Sequence, residues 1–293
     1  MQPSVRKAVH LPYGEFWASS NLHVHKPPVF EENRVEMTSR RIEDQLTAAQ
    51  IEIHKWTAQE FKRLVLDAKP MVAVFDCDGT LWGGDAGYGF MVWSLEHGLV
   101  SRSTSDWIDN RHRAYRAGHV SEVEICGEMV QIYAGLRDQE MRAAAAQYVR
   151  EFVHPHKFAE MADLLTTLRE TGVELWAVSS TNRWVVAEGV REFGFHEDRI
   201  LAAEVRVTDG LISSEILDVP TDAGKAVALR RVGLNHPDAV FGNSIHDLAM
   251  LEMARNPYPV NPSPALLEAA AKNGWGYFRP ESAEGVEAAV AGE

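Results

Sequence analysis

The sequence predicts an α/β protein: an open, doubly wound parallel sheet with a helical cap inserted into it. Three observations predict this class. Short, unbroken apolar runs alternate with helical patterns, as strands buried on both faces alternate with the helices that cover them. Each notable polar cluster falls where one of those apolar runs ends. From Phe90 to Phe152 no strand pattern appears and the spacing is helical throughout.

Taken in order, residues 1–36 show no period, and Met37 opens a cleaner polar helical pattern. Residues 1–56 are therefore read as an N-terminal extension, with the true start left open between Met1 and Met37. Thr57 and Glu60 make a capping box, flanked by Trp56 and Phe61 as a hydrophobic staple, so a helix begins there and runs to about Ala68 before Pro70 breaks it. Met71 to Phe75 (MVAVF) is the first buried strand. A glycine-rich stretch from Gly83 to Gly89 follows, then the helical block, with a second capping box at Ser121 and Glu124. Beyond Pro155 the alternation resumes. Phe158 to Leu168 carries an apolar helix face, Gly172 suits the position just past a helix end, and Val173 to Val178 is the next strand. Asp209-Gly210 signals a two-residue hairpin. Lys225 to Val232 reads as helix, Asp238 to Phe241 as strand, Asp247 to Ala254 as helix and Tyr258 to Val260 as a short strand. The core is thus residues 57–83 and 154–293, with residues 84–153 as the cap.

The chain has 293 residues and a formal net charge of −13, which disfavours nucleic acid as a partner. No run of about 18 apolar residues predicts a membrane span, and the N-terminus lacks the apolar core of a secretory signal. The two cysteines, Cys77 and Cys126, have neither disulfide-framework nor metal-site spacing. A cytoplasmic protein is expected, and a homo-oligomer is left open.

The chemistry gathers at strand ends. Asp76-Cys77-Asp78-Gly79-Thr80 follows the first strand, Ser179-Ser180-Thr181-Asn182 the second, and Gly242-Asn243-Ser244-Ile245-His246-Asp247 a later one, with Lys225 opening the helix before it. In a parallel sheet these ends face one crevice. Two carboxylates at i and i+2 repel unless a cation lies between them. Carboxylate, carbonyl and water ligands suit magnesium, while a hydroxyl, backbone N–H groups and a lysine make a cradle for phosphate oxygens. Together these groups describe phosphoryl transfer to a carboxylate.

The DxDGT sequence at Asp76 to Thr80, followed in order by Ser179, Lys225 and the Gly242–Asp247 segment, resembles the haloacid dehalogenase superfamily of phosphatases over roughly residues 70–262. The inserted block and the Asp209-Gly210 hairpin look most like its phosphoserine phosphatase branch. The resemblance implies a Rossmann-like core and a magnesium-dependent phosphomonoesterase. By the resemblance, Asp76 is nucleophile and metal ligand, and Asp78 is general acid and then base while its carbonyl binds metal. Thr80, Ser179, Ser180 and Lys225 hold the phosphoryl group. Asn243 and Asp247 belong to the metal site, with Asn243 standing where the family often has an acid. On the cap, Asp85 lies near the acid that meets a substrate amine in that branch. Met129, beside Glu128, falls where the branch carries a carboxylate-binding arginine. The expected substrate is a small phosphorylated metabolite resembling phosphoserine, phosphocholine or phosphoethanolamine, with Trp82, Tyr88, Phe90 and Trp93 as candidates for cation–π contact.

Simpler readings stand beside these. Asp-Gly is common in turns and Ser/Thr/Asn clusters usually cap helices. The aromatic residues are as readily explained by packing, and the pairs His23/His25 and His154/His156 by surface or packing roles. Gly224-Lys225 is not a phosphate-binding P-loop, and Gly242 to His246 lacks the second glycine of a nucleophile elbow. A dehalogenase is disfavoured by the second acid, Asp78. A non-catalytic phosphate-binding scaffold and a phosphotransferase remain as alternatives.

Overall fold

A computed structural model describes residues 53–283. The sequence readings that concern residues 1–36 and Met37 lie outside the described residues. In chain order the elements are β1 (Lys55–Trp56), α1 (Ala58–Asp67), β2 (Val72–Phe75), α2 (Ala86–Glu96), α3 (Arg102–Arg116), α4 (Glu122–Gln131) and α5 (Asp138–Tyr148). A π-helical turn (Val149–Val153) and a 3-10 turn (His154–His156) lead to α6 (Ala159–Glu170), β3 (Glu174–Asn182), α7 (Arg183–Arg191), β4 (Ile200–Thr208) and β5 (Leu211–Asp218). The chain continues with α8 (Ala223–Arg231), β6 (Ala239–Gly242), α9 (Leu248–Glu252), β7 (Asn256–Pro259), α10 (Pro264–Asn273) and β8 (Tyr277–Phe278).

Six strands form the main sheet in the order β5-β4-β3-β2-β6-β7. All neighbours are parallel except β4 and β5, which form the hairpin. Its turn places Asp209 at φ 51° and Gly210 at φ 74°, the pair of positive angles that a tight hairpin matching the sheet twist requires. The strands read as continuous apolar runs because alternate residues serve opposite layers. Ala73, Phe75, Ala177 and Phe241 enter one core, with Phe61 and Val65 of α1, Leu164 and Leu168 of α6, and Val186 of α7. Val74, Trp176, Val178 and Val240 enter the other, with Leu229 of α8, Met250 of α9 and Leu266 of α10. Phe75 and Phe241 stack at the centre, 4.3 Å between centroids and 3° from parallel.

The start of α1 is built as its sequence predicts. Thr57 Oγ1 accepts from the Glu60 N–H at 3.2 Å, Glu60 returns to the Thr57 N–H at 2.9 Å, and Trp56 stacks on Phe61. Lys55 and Trp56, which the sequence places in the extension, instead pair in parallel with Tyr277 and Phe278. A two-residue strand has no period to detect. The second strand also runs further than expected, through Asn182, with a register shift between Ser179 and Asn182 where it pairs with β4.

The helices α2 to α5 lie between β2 and β3, where the sequence places a cap. The chain enters and leaves this excursion side by side. The Gly83 N–H donates to the His156 carbonyl at 2.9 Å and the Phe158 N–H to the Leu81 carbonyl at 3.0 Å. No helix among the described residues is long and apolar enough to cross a membrane.

Candidate active site

The C-terminal ends of β2, β3 and β6 converge on a cavity of about 520 Å³. Its core side is walled by Asp76, Asp78, Gly79, Ser179, Ser180, Thr181, Lys225, Asn243 and Ser244. The cap side is walled by Asp85, His112, Tyr115, Glu122, Cys126 and Met129.

Asp76 is the first residue beyond β2 and is 5% exposed. Its Oδ1 accepts from Lys225 Nζ at 2.7 Å and its Oδ2 from Thr80 Oγ1 at 2.9 Å. Burial, and then the charge of Asp247, push its carboxyl up to about 7, against the opposing pull of Lys225. Lys225 lies in the first turn of α8 and is buried between two carboxylates. It also donates to Asp247 Oδ1 at 2.5 Å, and those two charges hold its ammonium well above the usual lysine range despite burial. The other oxygen of Asp247 accepts from the N–H groups of Asn243 (2.8 Å) and Ser244 (2.9 Å). Gly242 permits this close packing, since a Cβ there would stand 2.6 Å from the Cβ of Asp247.

Asp78 is held by three donors. Trp82 Nε1 reaches Oδ1 at 2.6 Å, the Ala86 N–H reaches the same oxygen at 3.0 Å, and Thr181 Oγ1 reaches Oδ2 at 2.5 Å. Burial raises its carboxyl above the ordinary value while these donors lower it. Ser179 is buried and accepts the Thr181 N–H at 3.2 Å.

Four sequence expectations need correction in this geometry. Thr80 is fully buried and orients Asp76 rather than meeting the cavity. Asp247 is likewise fully buried and does not line the cavity, with its oxygens bonded to Lys225 and to the Asn243–Ser244 turn. Glu128 is drawn away from the cavity by a bidentate pair with Arg111 at 2.8–2.9 Å, whereas Met129 and Asp85 do reach the wall. Of the four aromatic candidates, Trp82, Phe90 and Trp93 are buried in the core and Tyr88 stacks on His112, and none lines the cavity. Asn243 does line it, beside Asp76 and Asp78.

Sequence reasoning left Thr181, His112, Tyr115 and Glu122 without roles. Thr181 carried a signal, because it stands two residues from Ser179 within one polar cluster. Glu122 carried none, because an acid in the first turn of a helix is already explained by the helix dipole.

The groups near the Asp78–Gly79 turn that could offer oxygen ligands are the Asp76 carboxylate, the Asp78 main-chain carbonyl and the amide of Asn243, whose Nδ2 is the atom turned to Gly79. Asn243 packs directly against that turn, since a Cβ on Gly79 would lie 1.8 Å from its Nδ2. Such a set suits a hard divalent cation.

Comparison with known proteins settles the family. The profile of the haloacid dehalogenase-like hydrolases matches residues 73–252. This chain belongs to that family. A probable phosphatase of Mycobacterium tuberculosis is 27% identical over 222 residues, covering 72% of this chain and 76% of that protein. The histidinol-phosphatase of Neisseria meningitidis is 21% identical over 215 residues, covering 70% and 96%. In structure, a protein of unknown function from Bordetella pertussis Tohama I superposes with a TM-score of 0.64 at 23% identity, covering 71% of this chain and 97% of that one. That likeness concerns the fold alone. As a haloacid dehalogenase-like hydrolase, the chain places its matched segment, residues 73–252, across β2 to α9, which includes every strand end that walls the cavity.

Proposed function

We propose that this hydrolase is a magnesium-dependent phosphomonoesterase that works through an aspartyl-phosphate on Asp76. One observation carries the reading. Asp76 is buried and oriented by Lys225 at 2.7 Å and Thr80 at 2.9 Å, at the floor of a cavity that also presents Ser179 and Ser180. The names of the mycobacterial and neisserial relatives, both phosphatases, support it.

One carboxylate oxygen of Asp76 attacks phosphorus as the P–O bond to the alcohol breaks. Asp78 gives its proton to the departing oxygen, so the alcohol leaves neutral. Thr181 and Trp82 keep the Asp78 carboxyl aimed at that oxygen. In the second half Asp78 takes a proton from water, whose oxygen attacks phosphorus, and the bond from phosphorus to Asp76 breaks to release phosphate. Ser179, the Ser180 N–H and Lys225 stabilise the equatorial oxygens in both halves. Asp76, the Asp78 carbonyl and Asn243 would hold magnesium, which supplies charge neutralisation for the phosphate oxygens when bound.

The deciding experiment is phosphate release from a panel of small phosphomonoesters with magnesium, run beside Asp76→Asn. Turnover by the native enzyme and its loss in the variant, by a factor of about 10³ or more, is the expected result. Turnover retained in Asp76→Asn would sink the nucleophile assignment.

A further inference from the structure

The cap side of the cavity carries charge of one sign. Asp85 and Glu122 both stand on it, close enough for the charge of Glu122 to act on Asp85. Among the described residues, Lys225 at the catalytic floor is the one lysine or arginine on the cavity wall. Burial first, and then the neighbouring Arg116, depress the imidazole of His112 against the pull of Asp109 and Glu122.

Glu122 is more than an acid near a cavity. Its Oε1 accepts from Cys126 Sγ at 3.5 Å, whereas Oε2 is buried with no hydrogen-bond partner among the described residues. A buried carboxylate oxygen left without a donor is unfavourable by itself. Glu122 is held in place from one side by Cys126, and the Tyr115 hydroxyl stands within interacting reach of its carboxylate, so the donors around it are neutral ones. It shares one cavity wall with Asp76 and Asp78, the residues that would meet the phosphate and the leaving oxygen.

We propose, resting on the phosphomonoesterase reading above, that Glu122 is the residue that selects the alcohol, and that the alcohol bears an N–H-donating ammonium group and no carboxylate. The ammonium supplies Glu122 with a charged donor, which neither Cys126 nor Tyr115 can be, with Asp85 as a second counter-charge. A quaternary ammonium carries the charge but has no N–H to give, so it satisfies the site only in part. A carboxylate on the alcohol meets the two acids Asp85 and Glu122 with no lysine or arginine on that side of the wall, and phosphoserine is therefore disfavoured.

The test compares kcat/KM for phosphoethanolamine, propyl phosphate, phosphocholine and phosphoserine in the native enzyme with magnesium. Propyl phosphate matches phosphoethanolamine in size and lacks the charge. We expect phosphoethanolamine to exceed propyl phosphate by about 10- to 100-fold, the worth of one charge-assisted hydrogen bond, with phosphocholine between them and phosphoserine below phosphoethanolamine. In Glu122→Gln the ratio of phosphoethanolamine to propyl phosphate should fall by about 10-fold or more. Equal rates for those two esters in the native enzyme would overturn the inference without any variant, and so would an unchanged ratio in a folded Glu122→Gln protein. Propyl phosphate turnover that vanishes in Asp76→Asn keeps the phosphomonoesterase reading standing in either case. No turnover of any ester would overturn that reading, and the inference with it.

Discussion

Lys225 sits between Asp76 and Asp247 with almost no exposed surface, so the three charges stand or fall together. Removing the cation leaves two buried carboxylates facing one another, and Lys225→Met is expected to lower stability by about 3–5 kcal/mol in urea unfolding. A change of less than about 1 kcal/mol would mean the carboxylates find other partners. Asp85 gives a pH-dependent case. Although the residue is exposed to solvent, the protein packed around its carboxyl, and then the charge of Asp78, raise that carboxyl from 3.8 to about 6. A raised folded value means its contribution to stability is complete below 3.8 and is lost as pH rises through about 6. Asp85→Asn keeps the cap bond to the Tyr88 N–H, made at 2.8 Å, and cannot ionise. The variant should therefore match the native protein near about pH 4 and exceed it above about pH 6, by on the order of 1 kcal/mol once solvent screening at this open side chain is allowed for. Equal melting-temperature differences at both ends of that range would refute the assignment. At this scale the sequence showed which residues were polar and at which strand ends they lay. It did not show that Asp247 would turn to Lys225, or that Thr80 would turn to Asp76, because those choices depend on which neighbour fills the space behind each side chain.

Among the elements, the turn after β2 is the most constrained. Gly79 has φ 75°, and a Cβ there would lie 1.8 Å from Asn243 Nδ2, so both backbone and space call for glycine. Gly79→Ala is expected to lower stability by about 1–3 kcal/mol and to weaken magnesium binding by displacing the Asn243 amide. Calorimetric titration with magnesium separates the two effects, and unaltered affinity in a folded variant would place Asn243 outside the metal's reach. Elements with a strong local signature were legible: the capping boxes at Thr57 and Ser121 and the hairpin turn at Asp209-Gly210 all form. Elements defined by their partners were not. β1 and β8 are two residues each, and β3 is carried past its apolar run into Ser179–Asn182 by pairing with β4. Polar residues end a strand in a local reading, but a neighbouring strand with free N–H and C=O groups extends it.

For the molecule as a whole, the doubly wound order was legible because two packed faces leave an unbroken apolar run in each central strand, and those runs are visible without a structure. The cavity was legible mainly on its core side, where short motifs mark it, and on its cap side only at Asp85 and Met129. Its cap side is assembled from α3 and α4, whose inward residues follow ordinary helical spacing and look like any packed helix. With Asp76 and Asp78 both on its wall, the site is expected, on the phosphomonoesterase reading, to depend on a divalent cation. Thorough chelation is expected to abolish phosphate release, with magnesium restoring it, and activity surviving chelation would refute the metal requirement. The excursion that carries the cap leaves the core at Leu81–Gly83 and returns at His156–Phe158, two stretches bonded to each other. Whatever lies between them is tied off at the base like a bag at its neck. Most contacts that fix the machinery below the knot lie within the core, the Ala86 N–H to Asp78 being one that comes from above it. Reaction and selectivity can therefore diverge on separate schedules, with one set of strand ends inherited intact while the helices above are exchanged for others.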